Sequence, residues 1–177
     1  MKKALLVFAA VILLTSGSQA FDEQREGFVM GFGGGFSPIT RVGVAGSHYA
    51  IEGTGFAANL FLGSGTSDKS IFGVELNMTH YKHDRVDFQL YFTGGSWYYY
   101  FRSQAPSMYF NLGLGVNHIY SNRIPTTHGL AVLLGSGINF ADHWQVGLSL
   151  SLGRSSSGGG SDYDSRYASI IIDYFAF

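Results

Sequence analysis

Two histidine-containing stretches, one glycine-rich segment and a few isolated carboxylates are the parts of this sequence that could do chemistry. Asn117-His118-Ile119-Tyr120-Ser121-Asn122 sets an imidazole three residues before a hydroxyl. A serine nucleophile needs such a base within hydrogen-bond reach. On a β-strand, residues i and i+2 share a face while i and i+3 do not, so His118 and Ser121 meet only if a bulge intervenes. His80, His83 and Asp84 have metal-ligand chemistry. With His80 ending a strand and His83 in a loop, they do not converge on one ion. Gly63 to Ser70 has the composition of a phosphate-binding loop, but no Gly precedes Lys69 and a strand follows. Without a helix N-terminus there is no anion site, and the segment reads as a hairpin turn. The chain has no Cys, which excludes disulfides, thiolate zinc, a catalytic thiol and an acylated N-terminal cysteine. No cofactor and no metal centre is indicated.

The elements that would position these groups follow from composition and pattern. The chain has 177 residues, 46% hydrophobic and 16% aromatic, with 25 Gly, and only 13% charged, about half the usual fraction. A net charge of −1 leaves no electrostatic footprint for nucleic acid. Residues 1–20 read as a cleaved signal peptide: Lys2 and Lys3, an apolar run from Ala4 to Leu14, and Ser18-Gln19-Ala20 at the cleavage site. That run is too short to span a bilayer, which takes about 20 residues. Residues 21–177 are then one domain with a net charge of −3, since Lys2 and Lys3 leave with the peptide.

After Phe21 the apolar residues alternate, and glycines and short polar clusters separate the runs, which is the strand pattern. Eight strands are predicted, at 27–36, 54–62, 70–80, 86–101, 107–120, 128–140, 144–154 and 165–177. Six of these segments can be sorted by parity over 27–36, 55–62, 71–80, 108–120, 129–140 and 144–153. Of 32 even positions 28 are apolar or aromatic, whereas the 31 odd positions hold 13 glycines and 8 apolar residues. The second face is therefore Gly, Ser, Asn and Gln, with almost none of the charge that a water-facing surface carries. Such a face suits the inside of a narrow closed barrel and puts the bulky face against lipid. Closure is required because hydrocarbon leaves no other partner for backbone groups. The fold class is thus all-β, an eight-stranded antiparallel up-and-down transmembrane barrel. Phe110, Leu112, Leu114, Leu134, Trp144, Leu148 and Leu150 are expected to face lipid. Charged residues cluster in predicted turns, with Glu75, Asp87 and Asp173 as exceptions.

Links at 63–69, 102–106 and 141–143 are short and are assigned to the periplasm, with the longer ones, led by 37–53, outside the cell. Both termini are then periplasmic. The first loop carries His48, Tyr49 and Ile51 and could extend the barrel as a hairpin; the Ser- and Gly-rich last loop, 155–164, should be flexible. Aromatic girdles are expected from Phe110, Phe140, Trp144 and Tyr100 near the periplasmic interface and Tyr120 near the outer one. Asn59, Glu75, Asn77, Asp87, Gln89, Asn111, Asn139 and Asp173 are expected to line the interior. Buried carboxylates need partners; Arg85 is the nearest to Asp87, and Asn and Tyr side chains are left to satisfy Glu75. Eight strands enclose a space that side chains just fill, although the glycines leave room for a thin water path.

Over 27–177 the chain resembles the small eight-stranded outer-membrane barrels of the OmpA/OmpX type. The ending Tyr174-Phe175-Ala176-Phe177 resembles their terminal-aromatic assembly signal, with Phe175 and Phe177 as its residues. That pattern faces these aromatics to lipid and would carry Asp173 with them, whereas an inward Asp173 puts Ile170, Ile172 and Tyr174 outside. The inward reading is preferred. The resemblance implies a Gram-negative outer-membrane location. As partners it implies membrane lipid and lipopolysaccharide, the barrel assembly machinery and an unidentified extracellular ligand, with no nucleic acid. The expected role is non-enzymatic, structural or surface-interacting through the outer loops. Two alternatives remain. His118 and Ser121 resemble the His-x-Ser-Asn motif of lipid A deacylases of the PagL type, but with one extra residue. The other is a narrow conduit for small or apolar solutes.

Overall fold

A computed structural model describes residues 25–47, 49–122, 126–157 and 161–177. The proposed signal peptide, His48 and the centres of two loops lie outside the described residues. Alternating sequence, β-branched and aromatic enrichment and glycine-rich small faces produce eight antiparallel strands. They are β1 (Gly27–Val44), β2 (Ala50–Ser67), β3 (Ser70–His83), β4 (Val86–Tyr100), β5 (Ser107–Ser121), β6 (Thr127–Ala141), β7 (Trp144–Ser156) and β8 (Asp162–Ala176). Each pairs with the next, and β1 closes on β8 from Met30↔Ala176 to Val44↔Tyr163, so the barrel is closed.

The bulky face points outward. Leu112, Leu114, Leu134, Trp144, Leu148 and Leu150 are all exposed on the outside of the isolated barrel, with Phe32, Leu60, Val74 and Ile170 among many others. Phe110 is half-buried on the same outer face, under Trp97 and Tyr99.

Strand ends differ from the sequence reading most at the first loop. β1 and β2 pair up to Gly43↔Ala50, so the expected link 37–53 shrinks to 45–49. A bulge in β1 accommodates Pro38, which has no N–H to donate, between Ser37 and Thr40. Ser37 Oγ there reaches the Ala168 carbonyl at 2.7 Å. Connections are short at both ends: 68–69, 101–106 and 142–143 beside the termini, and 45–49, 84–85, 122–126 and 157–161 opposite. Loop length therefore no longer distinguishes the two ends, because the strands themselves take up the expected loops.

Turn geometry decides which parity faces out. A two-residue hairpin pairs an even residue with an odd one. In the hairpins at 68–69 and 142–143 a register shift beside the turn restores pairing of like parity, as in Asn139↔Gln145. At Asp84–Arg85, both with positive φ (46° and 66°), no shift occurs, and Lys82 pairs with Asp87. Two positive φ values make the tight turn that matches strand twist. Consequently β4 is inverted along its whole length, with even residues inside and odd ones outside; beyond its bulge β1 is inverted too, with Thr40 and Val42 buried and Ile39 exposed.

Inversion of β4 fills the barrel. Phe88, Leu90, Phe92, Tyr98 and Tyr100 point inward, where Phe61, Phe175 and Tyr167 from other strands are also fully buried. The interior is thus packed with rings and not, as expected, mainly with small groups that leave a water path. Glycines on facing strands supply the space. A Cβ at Gly147 would collide with the Tyr109 hydroxyl, and one at Gly113 would approach the Phe92 ring to 2.8 Å. The small face that the sequence displays is the complement of large side chains it conceals.

Candidate functional site

Three constellations emerge: a polar layer at mid-barrel, a charged and histidine-bearing outer wall, and a closure beside the termini. The polar layer lies between two apolar clusters. On the termini side are Val29, Phe61, Ile71, Tyr98, Tyr100, Tyr109, Phe175 and Phe177; on the other side are Val42, Tyr81, Val86, Phe88, Leu90, Ile119 and Tyr167. Between them Asn59, Glu75, Asn77, Asn111 and Asp173 are buried, and Asn139 is buried nearer the termini. The Tyr98 hydroxyl donates to Glu75 Oε1 at 3.0 Å, and Asn59 Nδ2 donates to Asp173 Oδ1 at 3.2 Å. Asp173 faces inward, but Phe175 and Phe177 share its side, so the terminal aromatics point into the barrel and not to lipid. Parity explains it: Asp173 and Phe175 are odd-numbered residues of β8, and Phe177 follows directly on the strand's end.

Asp87 and Gln89, expected inside, stand on the outer wall because β4 is inverted. Asp87 pairs with His80 at 3.3 Å and Lys82 at 3.4 Å, not with Arg85. Gln89 Oε1 accepts from the Tyr91 hydroxyl at 2.7 Å. The same inversion moves Tyr100 from the expected girdle to the interior, where its hydroxyl donates to Gln145 Oε1 at 2.9 Å. It puts Trp97, Tyr99 and Phe101 outside instead, against Phe72 and Phe110.

His118 faces outward beside Tyr120 and opposite His128, with the two histidine rings 5.8 Å apart. Ser121 has the parity of Asn117 and Ile119, both buried, and pairs with Phe88, also buried. β5 runs to Ser121 without a bulge, so base and hydroxyl belong to opposite faces of the wall. This removes the nucleophile–base pairing considered for His118 and Ser121. His83 contacts Asp84 at 3.5 Å, apart from the His80–Asp87 pair, so the first histidine cluster is also divided.

Nothing in the residue pattern singles out Arg25. It lies just before β1 and is 3% exposed. Nη1 donates to the carbonyls of Asp68, Arg102 and Ser103 at 3.0, 3.0 and 2.7 Å, and Nη2 donates to Asn139 Oδ1 at 2.7 Å. The guanidinium sits 3.9 Å from the Tyr100 ring centroid and 5.6 Å from that of Phe177. One side chain thereby joins the turn after β2, the link after β4, β6 and the C-terminal residue. Burial lowers its pKa, while Tyr100, Asp68 and Asp142 oppose that shift. An arginine so placed stays charged.

No family model matches the sequence, and no curated protein does. Solved structures do. Neisserial surface protein A superposes with a TM-score of 0.56 at 18% identity, over 84% of this chain and 95% of that one. Ail, the attachment invasion locus protein of Yersinia pestis, solved with the heparin analogue sucrose octasulfate, gives 0.53 at 16% identity, over 84% and 99%. OprG of Pseudomonas aeruginosa gives 0.51 at 15% identity, over 86% and 97%. The chain has the fold of the small outer-membrane barrels. In an outer-membrane barrel the exposed apolar face described above is the lipid contact, and the outward aromatics form interfacial girdles. The Arg25 closure and the collar of Arg41, Lys82 and Arg154 then belong to opposite ends of that barrel. Arg41 pairs with Glu52 at 3.6 Å and Arg154 with Asp162 at 3.0 Å, so these cations of the collar carry their own counter-charges.

Proposed function

We propose that the protein is an integral outer-membrane barrel of a Gram-negative bacterium, exported by residues 1–20, with a non-enzymatic role at the cell surface. Its termini lie in the periplasm. The observation that carries this reading is the filled interior beneath an apolar outer wall. Among the described residues, rings close the barrel on both sides of the polar layer, which favours a surface protein over a solute conduit. Separation of His118 from Ser121 likewise favours a binding role over lipid A hydrolysis.

Lipid and lipopolysaccharide surround the apolar band, and the collar above it meets the headgroups. The extracellular ligand contacts the short loops at 45–49, 84–85, 122–126 and 157–161. A sulfated ligand of the kind in the Ail structure gains little support here. Arg41, Lys82 and Arg154 are all paired with carboxylates, and a polyanion would have to displace them. Assembly machinery remains a partner through the C-terminal strand, although Phe175 and Phe177 would have to be read before they turn inward on closure.

The decisive experiment expresses the full chain in an outer membrane. A heat-dependent mobility shift, unaltered lipid A mass spectra and a silent planar bilayer are expected. Stepwise conductance from the purified barrel, or deacylated lipid A lost in His118→Ala, would overturn the reading.

A further inference from the structure

Beside the termini an exposed depression collects positive charge with no carboxylate in its lining. Its volume is about 380 Å³, and Lys69, Phe101, Arg102, Ser103 and Gln104 are among the residues around it. Lys69 ends the turn after β2, within the glycine-rich segment, and Arg102 belongs to the link after β4. Both are fixed by their backbones. The Lys69 carbonyl accepts from the Tyr100 amide at 2.8 Å, and the Arg102 amide donates to Ser107 Oγ at 2.9 Å. The Arg102 carbonyl in turn accepts from Arg25 Nη1 at 3.0 Å. Both side chains are exposed and, among the described residues, neither has an ion pair. Asp68 and Asp142, in the turns of this end, favour the charged form of Arg25. The opposite end differs: Arg41, Lys82 and Arg154 each hold a carboxylate, and the depression beside Arg154 and Arg166 includes Asp164.

An apolar surface adjoins these two cations. Phe101 is 57% exposed and continues on the outer wall into Tyr99, Phe110, Trp97 and Phe72, with ring centroids 5.3 to 6.2 Å apart. Such a ring ladder marks the level where a barrel wall passes from lipid to headgroups. A free anion would use the cations and leave the rings bare. A glycerophospholipid uses both, and basic side chains at a membrane surface attract anionic headgroups. A zwitterionic headgroup would bring a third cation to a lining that has no acid. We propose that this rim holds one anionic glycerophospholipid of the periplasmic leaflet, its phosphate on Lys69 and Arg102 and its acyl chains along Phe101, Phe110 and Trp97. Ser103 and Gln104 supply neutral donors for the remaining headgroup oxygens. The site rests on the outer-membrane reading above, which puts this end in the periplasm.

The test expresses the full chain, extracts the barrel in mild detergent, strips bound lipid and adds phosphatidylglycerol or phosphatidylcholine at equal concentration. Native mass spectrometry should find one phosphatidylglycerol per wild-type barrel, retained at least fivefold over phosphatidylcholine. The double variant Lys69→Gln/Arg102→Gln should keep the heat-dependent mobility shift and retain a fifth or less of that lipid. Arg154→Gln, at the opposite end, should retain as much as wild type. If the double variant does not fold, Trp97 in a Trp144→Phe barrel still decides. In phosphatidylcholine vesicles, a trace of phosphatidylglycerol with brominated chains should quench it at least twofold more than brominated phosphatidylcholine. Equal retention or equal quenching by the two lipids would overturn the site, as would undiminished retention in the folded double variant. Release of the lipid by millimolar inorganic phosphate would also overturn it and leave a free-anion site. A wild-type barrel without the mobility shift would strike the membrane reading itself, and this site with it.

Discussion

At the end beside the termini a single guanidinium gathers three backbone carbonyls and an amide oxygen between the rings of Tyr100 and Phe177. At the opposite end Val42, Tyr81, Val86, Phe88, Ile119 and Tyr167 pack together, with no buried charge among the described residues. The difference follows from the chain's path. Residues 101–106 leave the ladder beside the termini, so the Arg102 and Ser103 carbonyls there need a donor. Opposite, β3 and β4 pair right up to their turn at His83↔Val86, and there the ladder satisfies the backbone.

The comparison can be broken by removing one element at each end. Tyr167→Ala should cost most, about 4 kcal/mol, through a cavity in the cluster opposite the termini, read from denaturant unfolding in vesicles. Arg25→Ala should cost about 3 kcal/mol, because several charge-assisted hydrogen bonds go at once. Arg25→Lys should recover less than half of that, since an ammonium cannot reproduce the planar fork. In planar bilayers each single change should stay silent, because the other cluster still blocks the barrel. Conductance from Arg25→Ala alone would mean that the end opposite the termini is not a seal.

A smaller effect sharpens how glycine and ring fit each other. Gly147→Ala, pressed against the Tyr109 hydroxyl, should destabilise by about 2 kcal/mol. Gly95→Ala on the outward face of β4, whose nearest contact is a carbonyl at 4.0 Å, should be neutral or slightly stabilising, within about 1 kcal/mol. Equal losses would show that space inside the barrel is not what selects glycine. The smallest change is expected for Asp87→Asn, a few tenths of a kcal/mol, because an exposed pair with His80 and Lys82 contributes little. A loss of several kcal/mol would mean that Asp87 is buried after all and that β4 is not inverted.

Alternation alone carried the reading a long way. Leu112 against Gly113, and Leu148 against Ser149, already say that bulky groups point to the surroundings, and Asn59, Asn77 and Asn111 line the interior for the same reason of parity. Alternation puts Asp87, Gln89 and Tyr100 on the wrong side because parity is inherited through turns. Whether a two-residue hairpin carries a compensating shift depends on backbone geometry at Asp84–Arg85 that neighbouring apolar residues do not encode. Arg25 escaped notice for another reason: nothing within reach in sequence pairs with it, and its partners stand 43 to 114 residues away.

By itself the sequence determined that eight alternating segments must close with an apolar exterior, since only a closed ladder satisfies backbone groups that meet lipid. Tertiary structure alone decided which rings fill the glycine-lined interior, which face β4 presents, and which cations share a depression at the rim. Those outcomes depend on register between strands, and register is set by turns and cross-barrel packing acting together.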